Sequence, residues 1–102
     1  MSEPSRKTHV IPSNTAAPEA PLAEVRVAKD RLIVTVPMAE TRLADAVLFV
    51  TRSTMTVRSI PGRGSLQLTY PLPVEAEPGA FVARERNGVW DIAILRVSKK
   101  SI

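Results

Sequence analysis

The chain of 102 residues contains no cysteine. That absence excludes a disulfide framework, a thiolate nucleophile and any Cys-ligated zinc or iron–sulfur site. Histidine occurs once, at His9, in a polar, proline-containing segment. A zinc site needs several ligands, so His9 reads as a solvated tail residue and no metal site is expected. With a single histidine and no cysteine, neither a Ser/His/Asp nor a Cys/His set can be assembled around a second base. Glycine is also scarce, four in all. The cluster Pro61-Gly62-Arg63-Gly64 leads into an alternating strand pattern and not into a helix, so there is no helix N-terminus to cradle a phosphate. The isolated carboxylates Glu75, Glu77 and Asp91 read as solvated groups. An enzyme is therefore not expected, nor is a cofactor.

Aromatic residues number four: Phe49, Tyr70, Phe81 and Trp90. Single-strand nucleic-acid binders pair a basic groove with exposed aromatics for stacking. Phe49, Phe81 and Trp90 stand in apolar alternating positions that predict burial, so no nucleic-acid partner is expected. No apolar run approaches the ~18 residues of a membrane span, and the opening residues carry no apolar signal core. The expectation is a soluble cytoplasmic protein without a membrane partner. Charge is modestly basic, 14 Lys+Arg against 10 Asp+Glu. Half of the excess lies at Lys99 and Lys100, and the rest of the chain carries interspersed charges of both signs, which reads as a solubilising surface.

What the chain does have is strand periodicity. Residues 1–22 hold Pro4, Pro12, Pro18 and Pro21 among small polar residues, a composition that predicts a disordered N-terminal tail. Val10-Ile11 is its one apolar spot, read as incidental, with a docking patch as the other option. Val25 and Val27 before Lys29-Asp30, and Leu32, Val34 and Val36 after it, predict a hairpin closed by Pro37. Residues 38–45 read as a connector with one helical turn. Apolar or β-branched runs follow at 47–51 and 54–60. Leu66, Leu68, Tyr70 and Leu72 alternate strictly with Gln67, Thr69 and Pro71, and Pro71 points to a sheet edge. Asn87-Gly88 between two apolar runs suits a type I′ turn, because both central residues need positive φ. It places Phe81 and Ala83 on one face before the turn and Trp90, Ile92 and Ile94 on one face after it. About seven short strands without a convincing helix predict an all-β antiparallel sandwich. It would span 23–98, with 99–102 as a short basic C-terminal tail.

The same stretch carries a family likeness. Leu72-Pro73, the connector from Val74 to Pro78, Ala83, Asn87-Gly88-Val89-Trp90 and the alternating Ile92, Ile94 and Leu95-Arg96 together resemble the signature of the α-crystallin domain of small heat-shock proteins. Ala83, Asn87, Gly88, Val89 and Trp90 are its structural signature here. The likeness covers residues 23–98 and implies an immunoglobulin-like sandwich of the α-crystallin/CS type. It implies an ATP-independent chaperone, or holdase, that binds unfolded proteins in apolar grooves and at sheet edges. The departures are specific. Trp90 stands for the usual Leu, and Leu95 for the Pro that ends the last strand. Only five residues separate Ile60 from Leu66, too few for the long loop that many microbial members swap between subunits. The C-terminal residues lack an Ile-x-Ile/Val motif. These departures bring in a second reading, a CS-type co-chaperone or adaptor that binds one specific protein partner. A homodimer would then form by edge-strand pairing through residues 54–60 and 65–72. The candidate client groove is the stripe Met55, Val57, Leu66, Leu68, Tyr70 and Leu72. The plainer reading of each of these residues is that it fills the sandwich core.

Overall fold

The computed structural model describes residues 7–13, 21–38 and 41–97. These form two antiparallel sheets. Strands β1 (Lys7–Ile11), β2 (Ala23–Val27), β3 (Arg31–Pro37), β7 (Ala76–Arg86) and β8 (Val89–Arg96) make a five-stranded sheet in the order β1-β2-β3-β8-β7. Strands β4 (Ala46–Val50), β5 (Thr54–Ser59) and β6 (Gln67–Pro71) make a three-stranded sheet in that order. A 3₁₀ turn, Leu43–Asp45, precedes β4. The all-β sandwich expected from alternation is the fold that forms.

The hairpins are set by local chemistry. Asn87 and Gly88 adopt φ of 51° and 79°, and the turn holds Arg86 opposite Val89. That register puts Phe81 opposite Ile94 and Ala83 opposite Ile92, as the alternation across the turn requires. β2 and β3 pair Val25 with Val34 and Val27 with Leu32. The turn between β5 and β6 is tight. Gly62 and Gly64 take positive φ, and the buried Ser59 hydroxyl accepts the Leu66 amide at 3.0 Å. The crossing from β6 to β7 is tied to the β4–β5 turn, because Leu72 and Ala76 donate to the carbonyls of Ser53 and Arg52.

The core lies between the sheets. Leu32, Val34 and Val36 from β3 and Trp90, Ile92 and Ile94 from β8 meet Met55, Val57, Leu68 and Tyr70 from the smaller sheet, all essentially without solvent exposure. Burial of each such side chain is worth about 1.5–3 kcal/mol. The Trp90 indole N–H finds no acceptor among the described residues, so part of that gain is offset by an unsatisfied donor.

Four expectations are corrected. The tail expected over 1–22 contributes β1, which pairs with β2 from Lys7↔Val27 to Ile11↔Ala23. Ile11 is buried in the core, and His9 is half-buried opposite Val25 instead of solvated. Ladder hydrogen bonds and one well-placed isoleucine thus outweigh a polar composition. Residues 54–60 were expected at an edge, but β5 is the central strand of its sheet. Phe49 is 45% exposed, because Leu48 and Val50, not Phe49, stand opposite the inward Val57 and Met55. Val89 of the signature lies on the face opposite Trp90, paired with Pro37 and Arg86. The expected basic tail at 99–102 lies outside the described residues.

Tyr70 links the two sheets. Its hydroxyl donates to the Pro21 carbonyl at 2.7 Å, just ahead of β2. Burial pushes the hydroxyl up to about 12 from its ordinary 10.0. The folded state therefore holds this proton more tightly than the unfolded chain does. Its contribution is full below about pH 10 and is lost as pH rises through about 12. Tyr70→Phe is expected to cost about 1–2 kcal/mol in urea unfolding at pH 7. It should also remove most of the decline in unfolding midpoint seen for the parent between those two pH values.

Candidate functional site

The residues expected to line a groove on the smaller sheet are its floor. Met55, Val57, Leu68 and Tyr70 point inward and are buried. Leu66 and Leu72 flank β6 and pack against the same core, partly buried. None of the six forms an open groove. Of the structural signature, Asn87 and Gly88 make the turn, Trp90 is core, and Ala83 is partly buried against it.

The core reaches solvent elsewhere. On β3, β5 and β8 the inward apolar residues are closed off by neighbours on both sides. β4 and β7 each have a ladder partner on one side only. They pack against each other along one flank of the sandwich, without a ladder between them. Val50 and Ala76 are buried, but Ala46 and Leu48 on the inward side of β4 and Phe81 and Ala83 on that of β7 stay only partly buried, as does Leu43 just before β4. Five apolar side chains therefore line a seam where two sheet edges meet. On the outer face of β4, Val47 and Phe49 add exposed apolar surface beside it. Arg58 sits over the Phe49 ring, 5.4 Å from its centroid, a cation–π contact.

One polar contact fastens the seam. The Leu43 amide donates to Glu85 Oε1 at 3.1 Å, tying the start of β4 to β7. Glu85 lies on the inward parity of β7, opposite Trp90, and its carboxylate caps the turn instead of facing open solvent. Periodicity alone did not single out Leu43, Ala46, Leu48 or Phe81. The available signal was Glu77-Pro78-Gly79 at the start of β7, which marks an edge strand.

Chemically the described residues offer surfaces. They contain no group of three or more His, Cys, Asp or Glu side chains that could hold a metal ion. No helix among them is long and apolar enough to cross a membrane. Among the described residues the edges at β4 and β6 and at β1 and β7 have no further ladder partner, and their backbone groups can pair with an added strand. Glu85→Gln weakens the charge-assisted bond that fastens β4. Amide exchange at Leu43 should rise by about fivefold, with a loss of about 1 kcal/mol in stability. Unchanged exchange at Leu43 would show that the seam is closed by packing alone.

No protein-family profile and no curated protein matches the chain. Its fold is similar to solved structures. Heat shock protein 16.0 from Schizosaccharomyces pombe superposes with a TM-score of 0.64 at 19% identity, over 87% of this chain and 79% of that one. A small heat-shock protein from Xylella fastidiosa, described as having a distinct high order structure, gives a TM-score of 0.66 at 14% identity, over 84% of this chain and 94% of that one. The chain has the β-sandwich fold of small heat-shock proteins.

Proposed function

We propose that this chain is a small heat-shock-type holdase, a non-enzymatic cytoplasmic chaperone that captures exposed apolar segments of unfolding proteins without ATP. The observation that carries this reading is the β4–β7 seam, where inward-facing Leu48, Phe81 and Ala83 remain partly exposed between two free edges. An extended client segment can add to an edge through backbone hydrogen bonds while its alternate side chains enter the seam. That mode asks for little sequence specificity, as holding diverse clients requires. The likeness of fold to two heat-shock proteins supports the reading.

Aggregation of reduced insulin, followed by light scattering, tests it. Suppression is expected at or below equimolar chain. Leu48→Ser and Phe81→Ser should each raise the amount needed by about fivefold, which corresponds to a loss of about 1 kcal/mol of apolar contact. Val47→Ser, on the outer face, should leave suppression unchanged. No suppression by the folded parent at equimolar ratio would sink the holdase.

The tight β5–β6 turn favours a second reading, an adaptor that binds one partner. A chain of this kind has no long loop between β5 and β6 to exchange with a second copy. Self-association would then proceed by pairing of β6 edges, a short strand ending at Pro71. Size-exclusion with light scattering separates the two: a dimer or larger species is expected for the holdase, and a strict monomer at about 100 μM, well above the Kd of a stable dimer, would favour the adaptor.

A further inference from the structure

The β4 edge carries a hydrogen-bonding pattern that fits its own copy. The Thr51 amide donates to the Thr54 carbonyl and the Ile60 amide to the Asp45 carbonyl, each at 2.9 Å. Both contacts belong to the β4–β5 register, and hydrogen-bonded pairs of an antiparallel ladder recur at every second residue. Val47 and Phe49 therefore spend their backbone groups on β5. The N–H and C=O of Leu48 and Val50 point the other way, out of the sheet edge, where no ladder partner stands among the described residues. The Ala46 N–H is already spent on the Leu43 carbonyl.

The side chains of this edge are apolar on both faces. Leu48 and Val50 belong to the inner face, while Val47 and Phe49 on the outer face are 40% and 45% exposed. From Ala46 to Val50 there is no charge, proline or glycine. The other edges suit self-pairing less well. β6 ends at Pro71, which has no N–H to give. β7 holds Pro78 and Gly79 within its bulge and ends in Arg84-Glu85-Arg86. β1 includes Lys7 and His9.

We infer that two copies of this chain pair through β4, antiparallel about a two-fold axis at Phe49. Inward residues must meet inward residues across the new ladder, which admits two central registers. About Leu48, each Val50 would face an Ala46 whose N–H is not free, and the Val50 carbonyl would lack its donor. About Phe49, Leu48 meets Val50 of the second copy at both ends, and every N–H and C=O of those residues is used. The two Phe49 rings then stand at the non-hydrogen-bonded position, with Cα atoms about 4.5 Å apart, where aromatic pairs are favourable. Charge agrees with the antiparallel sense. Each Asp45 comes within one residue of Arg52 of the second copy, whereas parallel strands would set like charges together. Arg52 has no ion pair among the described residues, and Asp45 has one, with Arg63 at 3.4 Å. Arg42 is set off from the strand by the 3₁₀ turn, and Glu85 is held on the Leu43 amide. A five-residue ladder about 17 Å long falls short of the roughly 1,200 Å² that a stable interface buries. The pair therefore forms and parts, with a Kd of about 10–100 μM. The inference rests on the β4 edge alone and not on the holdase reading.

Sedimentation of the full chain between about 5 and about 500 μM is expected to show a reversible monomer–dimer equilibrium. Phe49→Lys and Phe49→Glu, at an exposed position, each set like charges across the two-fold axis and should weaken the dimer at least about tenfold. An equimolar mixture of the two should dimerise again. The chain has no cysteine, so Phe49→Cys should cross-link to itself under mild oxidation, because the spacing lies within disulfide reach. Val47→Cys, placed opposite Thr51, should not. Amide exchange at Leu48 and Val50 should slow as concentration rises, while that at Thr69 on β6 stays constant. A strict monomer throughout, no recovery in the mixture, equal cross-linking of both cysteine variants, or protection that rises at Thr69 instead of Leu48 and Val50 would each overturn the proposal.

Discussion

Five strands faced by three is the constraint from which the rest of this molecule follows. The large sheet has an inner face broader than the small sheet can cover. Where cover is complete, over β3 and β8, the inward residues are sealed, and the ladder between those two strands forms the centre of the core. Toward the rims the cover thins and other devices take over. On one side Tyr70 reaches from β6 to the Pro21 carbonyl ahead of β2, and Ile11 of β1 joins the buried set. On the other side β4 leans against β7 with a single side-chain bond from Glu85, and the core shows through. The seam is thus a consequence of strand number and order before it is a property of any one residue.

The edges are handled unequally. β7 has Pro78 and a bulge at its start and arginines at its end, features that discourage pairing with stray strands. β6 is short and ends at Pro71. β4 has apolar side chains on both of its faces, Leu48 and Val50 inward and Val47 and Phe49 outward. An apolar edge of that kind is a hazard in a protein that has no use for it, and a resource in one that captures exposed segments.

Much of this was legible in the residues, and the limits have a physical form. Asn87-Gly88 fixed the turn and register of the last hairpin, and Leu68 and Tyr70 were read on one face of their strand. Lys29-Asp30 between two alternating runs marked the β2–β3 hairpin. Alternation reports a period, however, and not which parity is covered. On β4 both parities are apolar, so Phe49 could be placed on either; the pairing of Val50 with Met55 and Leu48 with Val57 decides it, and that is non-local information. The same gap hid the seam, because being an edge is a property of strand order. β1 was missed for a different reason. A five-residue strand with one buried side chain draws its stability from β2, and nothing in its own composition announces that partner.

The seam and the outer face of the large sheet differ in origin. The seam consists of core side chains left partly uncovered, and its one charged contact, the Glu85 carboxylate, is spent on the Leu43 amide. Nothing there discriminates by charge, so recognition rests on apolar area and free backbone edges, which are generic. The outer face of the same sheet differs in kind. Ile33, Ala93 and Val82 lie side by side on it and were never core, and the next row carries Glu24, Asp91 and Arg84, charges of both signs. The inner face of the sheet can therefore be given over to core and seam while the outer face stays mixed, because packing on one side of a β-sheet places no demand on the other side beyond the shared register.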